Sequence, residues 1–156
     1  MLNEGEKIML HRRRFLASWL PSTIVMFGLS YVWHGIALRD LTELRIPLTL
    51  YFILAALVYL VIGLVLAIGI DKAIVYKVIT LQTGFPFKAM GLGALVGFVV
   101  YLMVFILGMS FAKHSVVHVV VDVLWQMLEQ SLGGLCVSLG IIYDLHKTHL
   151  EMEGGH

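Results

Sequence analysis

Four long apolar stretches alternate with short polar connections along the chain. Each is long enough to cross a bilayer as a helix, which needs about 20 residues. The predicted spans cover residues 15–38, 47–70, 88–111 and 118–143. We therefore expect an all-α integral membrane protein, a four-helix bundle that forms one membrane domain over residues 1–156.

The fourth stretch differs from the others because polar and small residues line one of its sides. They share this side at a helical advance of about 100° per residue. The side consists of His114, His118, Asp122, Trp125, Glu129, Gly133, Cys136 and Gly140. Because a carboxylate in contact with lipid is costly, we expect it to face other helices, another subunit or a water-filled cavity.

Turn-forming residues and polar segments indicate where several helices begin and end. Pro47 is well placed to open the second helix. Residues 73–82 keep a helical pattern that extends the second helix or bends along the membrane surface, and we expect Gly84 and Pro86 to end it. We expect the fourth helix to fray near Asp144 and to be followed by a mobile polar tail.

The distribution of Lys and Arg predicts the orientation. Residues 1–14, 71–88 and 144–156 would share one side of the membrane and carry eight of these residues, whereas the opposite side carries three. Cytoplasmic connections are the richer ones. We therefore expect both termini in the cytoplasm and the bundle in the cytoplasmic (inner) membrane.

Composition supports a membrane protein and argues against several functions. Hydrophobic residues make up 60% of the chain and charged residues 13%, outside the range of soluble globular domains. A net charge of +1 without a basic stripe argues against a nucleic-acid partner. The sequence contains no glycine-rich phosphate loop, nucleophile elbow or pair of catalytic carboxylates, so we do not expect an enzyme.

Glu129 is predicted near the middle of the bilayer, at the depth of Tyr59 and Tyr101 in their own spans. No Lys or Arg lies at that depth, so desolvation favours the neutral acid. Either Glu129 hydrogen-bonds helices together, with one of the tyrosines as its partner, or it is the proton-binding carboxyl of a transporter. We favour the first interpretation, because a proton path normally needs groups at successive depths.

A second polar cluster is predicted at the outer end of the bundle, from His34, His114, His118 and Asp122. His114 and His118 are four residues apart, a spacing that aims two imidazoles at one ion. Asp122 could be a further ligand or could fix an imidazole tautomer. Zinc or copper would suit these ligands, and bis-histidine haem ligation is an alternative. The simpler alternative, which we favour, has no cofactor and bonds His118 to Asp122.

Small residues recur every four positions in the third helix. Ala89, Gly93 and Gly97 form a ridge along which another helix can pack closely, and Gly133 offers a similar place on the fourth helix. We call the first three residues the glycine ridge.

The third and fourth helices also resemble a known group of proteins. A glycine-rich helix with a central Tyr precedes an Asp-x-x-Trp helix, through Gly91, Gly97, Tyr101, Asp122 and Trp125. This arrangement resembles small bacterial four-span membrane proteins of unknown function. The resemblance implies four spans and a bacterial origin, and it implies no mechanism.

Three functional hypotheses follow. The leading one is a non-catalytic accessory or structural subunit that packs, through the glycine ridge and the polar side of the fourth helix, against itself or against other membrane subunits. The second is a small proton- or ion-coupled transporter with Glu129 and Asp122 as carriers. The third is a metal- or haem-binding membrane protein that uses the outer histidines.

Overall fold

The chain folds into four long helices. The structure, a computed structural model, describes residues 4–38, 46–108 and 116–153, and its regular elements are all helical. They are α1 (Glu4–Ser30), which continues as a π-helical segment (Tyr31–Ala37), α2 (Leu48–Val75), α3 (Phe85–Gly108) and α4 (Val116–Glu153). The prediction of an all-α, four-helix fold is confirmed.

Three of the helices have the length and apolar character that crossing a membrane requires. The qualifying segments are Arg13–Ala37, Leu48–Val75 and Phe85–Val104. Large apolar side chains on these helices are exposed, as expected where lipid is the solvent; Ile24, Val61 and Met103 are examples. α4 does not qualify, because its polar side makes it less apolar.

α4 is the central helix of the bundle. It packs along α3 on one side and along α1 on the other, and α1 packs in turn on α2. α2 touches α4 over a shorter length, and α2 and α3 contact each other only slightly. The bundle is therefore open between α2 and α3.

Ion pairs place both ends of the described chain at the same end of the bundle. Arg13 Nε donates to Asp144 Oδ1 at 2.8 Å. Arg14 pairs with Asp71, at the end of α2. We call this the charged end, defined by Arg13, Arg14, Asp71 and Asp144. The opposite end, where Trp33 meets Trp125, is the tryptophan end.

The end of α2 differs from the prediction. Residues 73–75 belong to α2, but residues 76–82 do not continue it, because α2 ends at Val75 and Lys77 adopts a left-handed conformation with φ 59°. The Val78 N–H then donates to the Ala73 carbonyl at 2.9 Å, and the Lys77 N–H to Ile74 at 3.0 Å. These two bonds form a Schellman motif, which satisfies carbonyls at a helix end.

Gly84 and Pro86 begin a helix, so the expectation that they end one is wrong. Gly84 has a φ of 88°, which glycine adopts without strain. α3 starts at Phe85, and its first turn accommodates Pro86 because an N–H has no helical partner there. The end of the third predicted span, residues 109–111, lies outside the described chain.

α4 also continues beyond the predicted end. It runs to Glu153 instead of fraying near Asp144. Asp144 is buried and paired with Arg13, whose guanidinium also lies 3.4 Å from the Thr148 hydroxyl. The Thr148 hydroxyl donates back to the Asp144 carbonyl at 2.8 Å. These contacts with α1 support the additional turns.

The glycine ridge is filled from within the chain. An added Cβ at Gly93 would lie 2.9 Å from the Gln130 carbonyl carbon, and one at Gly97 would lie 2.5 Å from the Gln126 carbonyl oxygen. Ala89 is fully buried against α4 and meets Gly134. The expectation that this ridge packs against another subunit is therefore wrong, because α4 occupies it.

Candidate functional site in the polar interior

A buried carboxyl group lies where three helices meet. Glu129 is only 1% exposed and comes from the side of α4 that the sequence marks as polar. The Tyr59 hydroxyl, from α2, hydrogen-bonds to it. Ser30, from α1, hydrogen-bonds to Tyr59 in turn. The bonds thus connect α1, α2 and α4 at one level.

Two glutamine amides complete this cluster from α4 itself. Gln126 Nε2 lies 3.5 Å from Glu129 Oε1, and Gln130 Nε2 lies 3.4 Å from the same oxygen. Both distances exceed the usual nitrogen-to-oxygen distance of an N–H···O hydrogen bond, about 2.7–3.2 Å, so these bonds are long. We call Glu129, Tyr59, Ser30, Gln126 and Gln130 the carboxyl cluster.

Tyr101 lies at a different level from the one predicted. Gly93 packs against Gln130 and Gly97 against Gln126, so the next turn of α3 brings Tyr101 to Asp122. An electrostatic interaction between Tyr101 and Asp122 accords with this register. Of the two tyrosines predicted beside Glu129, the structure places Tyr59 there and Tyr101, beside Asp122, about two turns nearer the tryptophan end.

The tryptophan end is held by two stacked indole rings. The ring centroids of Trp33 and Trp125 are 4.4 Å apart, with an angle of 12° between the planes. Trp33 Nε1 also donates to Asp122 Oδ1 over 3.4 Å. Trp33 belongs to the π-helical segment, where the Leu38 N–H bonds to the Trp33 carbonyl at 2.9 Å. Such segments are rare and are often found at functional sites.

An apolar layer lies on the charged-end side of the carboxyl cluster. Met26 and Leu66 are fully buried and contact Gly133. A Cβ added to Gly133 would lie 2.9 Å from Met26 Cγ and 3.1 Å from Leu66 Cδ2, so a larger residue there would require these side chains to move. Gly133, predicted as a packing residue, therefore packs against α1 and α2. We call Met26, Leu66 and Gly133 the apolar layer.

Further polar side chains lie one turn of α1 from Met26, toward the charged end. The hydroxyls of Ser22 and Thr23 are buried and have no hydrogen-bond partner among the described residues. Nearer the charged end, Arg14, Ser18 and Asp71 line a cavity of about 10 Å³, which has room for about one water molecule.

An apolar groove of about 410 Å³ lies on the outside of the bundle between α1 and α4. Pro21 lines it and has no N–H to donate to the Ala17 carbonyl, the usual acceptor one turn earlier. Gly140 packs at this carbonyl, where an added Cβ would lie 2.5 Å from the oxygen. Cys136 also lines the groove, so the chain's single thiol is far from the carboxyl cluster.

The predicted metal site is only partly covered by the structure. His114 lies outside the described chain, and the same is true of the side chain of His118. Among the residues that are described, no three His, Cys, Asp or Glu side chains are grouped for a metal ion. The proposed bond between His118 and Asp122 stays a prediction, as do metal and haem binding.

Several residues of the site were not predicted. Gln126 and Gln130 belong to α4 but lie beside the polar side predicted for it, and Trp33 lies in the first predicted span with no role assigned to it. The spacing of Asp122, Gln126 and Glu129, at intervals of four and three residues, was the signal that could have identified Gln126.

Comparison with known proteins does not identify the chain. No protein-family model matches it, and no match emerges among curated proteins or among solved structures. The resemblance of the third and fourth helices to small four-span proteins therefore depends on those residues alone. Function has to be argued from the geometry.

Proposed function

We propose that the chain is a non-catalytic integral membrane protein, an accessory or structural subunit that packs by helix contacts with copies of itself or with other membrane subunits. In this proposal α4 is the fourth span, and both termini lie in the cytoplasm. The shared charged end of α1, α2 and α4, together with the Lys and Arg distribution, supports that orientation in the inner membrane.

The observation that carries the proposal is a set of glycines with open space beside them. An added Cβ at Gly28, Gly69 or Gly91 would have no neighbouring atom within 4 Å. Glycine inside a helix costs about 1 kcal/mol relative to alanine, and no packing within the described chain requires glycine at these three positions. In membranes, small residues let a second helix approach closely. We infer that helices of other subunits pack at these positions.

The interior of the bundle also favours a packing role over catalysis. The side chains of the carboxyl cluster bond to one another and join three helices. The groove of about 410 Å³ has an apolar lining and lies on the outside of the bundle. Neither feature arranges a nucleophile and a base for a reaction.

The test is to purify an affinity-tagged chain in mild detergent together with an untagged copy. We expect co-purification of the untagged copy or of a stoichiometric partner. Gly28→Leu and Gly91→Leu should reduce this, because each fills the space left for another helix. Val99→Leu, at an exposed position of α3, is the matched control and should leave assembly unchanged. A wild-type chain that is monodisperse, alone and indifferent to both glycine substitutions would contradict the proposal.

A proton-coupled carrier is the second candidate, and one specific observation favours it. Asp122, Gln126 and Glu129 follow one another along α4, so polar groups are present at successive depths. Glu129→Gln keeps the shape of the side chain and removes its ability to release a proton. If the chain is a carrier, this substitution abolishes proton-coupled uptake in vesicles. If the chain is a purely structural subunit, the same substitution leaves its assembly unchanged and has no other effect.

A further inference from the structure

We propose that water and protons reach Glu129 from the tryptophan end only, along a polar path past Asp122 and Gln126, and that the apolar layer closes the route from the charged end. This goes beyond the proposed packing role and does not depend on it. The path binds water, and the Glu129 carboxyl group accepts the proton.

The path follows one side of α4. Asp122 and Glu129 are seven residues apart, about 10 Å along the helix axis. Gln126 lies between them and reaches Glu129 Oε1 at 3.5 Å. Asp122 is partly exposed and accepts the Trp33 indole N–H at 3.4 Å. Because these contacts are longer than a strong hydrogen bond, water can compete for their polar atoms without displacing a tight pair.

Buried polar atoms along the path provide sites for that water. Gln130 is fully buried, and its Oε1 has no hydrogen-bond partner in the described part of the chain. Its Nε2 contacts Glu129, so the unpartnered oxygen belongs to the carboxyl cluster. Trp125 Nε1, nearer the tryptophan end, is also buried and lacks a described partner. Buried polar groups of this kind are normally satisfied by protein or by ordered water.

The route from the charged end is blocked by packing. Met26 and Leu66 are 0% exposed and close on Gly133. Ile70 and Val137, also 0% exposed, add further apolar bulk. A hollow lined by such groups stays dry. On α1, Ser22 and Thr23 lie one turn from Met26 toward the charged end, and Thr23 packs against Gly63 of α2.

The other helices provide no second route to Glu129, so access is by the path at the tryptophan end. α1 offers Ser30 and α2 offers Tyr59 to the carboxyl cluster, and both are uncharged partners. α3 presses Gly93 and Gly97 against the α4 backbone, which leaves little space on that side. In this conformation Glu129 therefore exchanges protons with one compartment.

Cysteine accessibility tests the inference directly. Cys136→Ser removes the only cysteine, and single cysteines are then introduced by Gln126→Cys, Glu129→Cys or Ser22→Cys. The protein is placed in sealed vesicles in one orientation and treated with a membrane-impermeant methanethiosulfonate on one side at a time. We expect the first two thiols to be labelled at least about tenfold faster from the side of the tryptophan end, since the other route requires a packed layer to open. The Ser22→Cys thiol should not be labelled from that side.

Two outcomes would overturn the inference. One is equal labelling of the Glu129→Cys thiol from both sides, and the other is no labelling of either the Gln126→Cys or the Glu129→Cys thiol in vesicles. Gln126→Cys keeps the carboxyl group in place, so it guards against misfolding caused by the loss of Glu129. Adding Met26→Ala to Gln126→Cys should open labelling from the charged end, and no change would count against the assigned closure.

Discussion

Two glycines on α3, two residues apart, should respond in opposite ways to the same substitution. Gly93 faces α4, whereas an added Cβ at Gly91 meets nothing within 4 Å. Replacing either one by alanine adds a single methyl group to the same helix. We expect Gly93→Ala to destabilise the bundle and Gly91→Ala to be neutral or slightly stabilising.

The size of the effect follows from what the new methyl group meets. At Gly93 it would lie 2.9 Å from the Gln130 carbonyl carbon and 3.1 Å from Ser131 Cα. These are backbone atoms, which cannot rotate away. The helices would have to separate by roughly 1 Å to restore normal contacts, which forfeits a quarter to a half of the dispersion attraction at each contact affected. Such overpacking costs about 1–3 kcal/mol, and we expect the upper end here.

Alanine at Gly91 avoids that cost and gains helix propensity. Both alanines make that gain, at most about 1 kcal/mol, so it cancels and the two variants should differ in free energy of unfolding by the overpacking cost alone, roughly 3 kcal/mol. The measurement is an unfolding titration with SDS in mixed micelles, at a protein concentration where the chain is a monomer, followed by tryptophan fluorescence. Equal midpoints, or a lower midpoint for Gly91→Ala, would refute the assigned packing of α3 on α4.

Three further substitutions test local features. Lys77→Gly should raise the free energy of unfolding by up to about 1 kcal/mol in the same titration, because Lys77 has a positive φ that glycine adopts freely; a loss would mean that the lysine side chain supports the turn. Trp33→Phe should abolish the far-ultraviolet circular dichroism couplet of the stacked indoles and cost about 1 kcal/mol, through loss of the hydrogen bond to Asp122; an unchanged spectrum would contradict the stacking. Arg13→Gln should leave the Asp144 carboxylate, only 7% exposed, without its ion partner, at a cost of about 1–3 kcal/mol, and faster amide hydrogen exchange after Asp144 is the readout; unchanged exchange there would show that α4 does not need the pair.

The features that the sequence predicted are those that depend on one helix at a time. Apolar length gave four helices, and the helical period placed Asp122 and Glu129 on a common side of α4. Glu129 is indeed buried inside the bundle, as the cost of a lipid-exposed carboxyl group requires. The small residues at Ala89, Gly93 and Gly97 likewise predicted close helix packing, which the structure contains.

The features that could not be predicted from the sequence depend on contacts between helices or on turn geometry. The pattern of residues 73–82 is helical, but α2 ends at Val75, within this stretch, where Lys77 adopts a left-handed conformation. The polar composition after Asp144 suggested fraying, yet pairing with Arg13 on α1 holds that segment in a helix. A period along one helix cannot reveal a partner that lies 131 residues away in sequence.

α3 packs most extensively on α4, yet none of its described side chains brings a polar group to Glu129, and the glycine ridge explains why. Backbone approaches at Gly93 and Gly97 require that α3 present only hydrogen atoms opposite Gln130 and Gln126. The same register carries Tyr101 past Glu129 to Asp122. The hydroxyl that bonds to Glu129 therefore has to come from a helix farther away, and Tyr59 on α2 has the length to reach it. Tight packing on one side of α4 thus determines which helices can complete its polar site on the other.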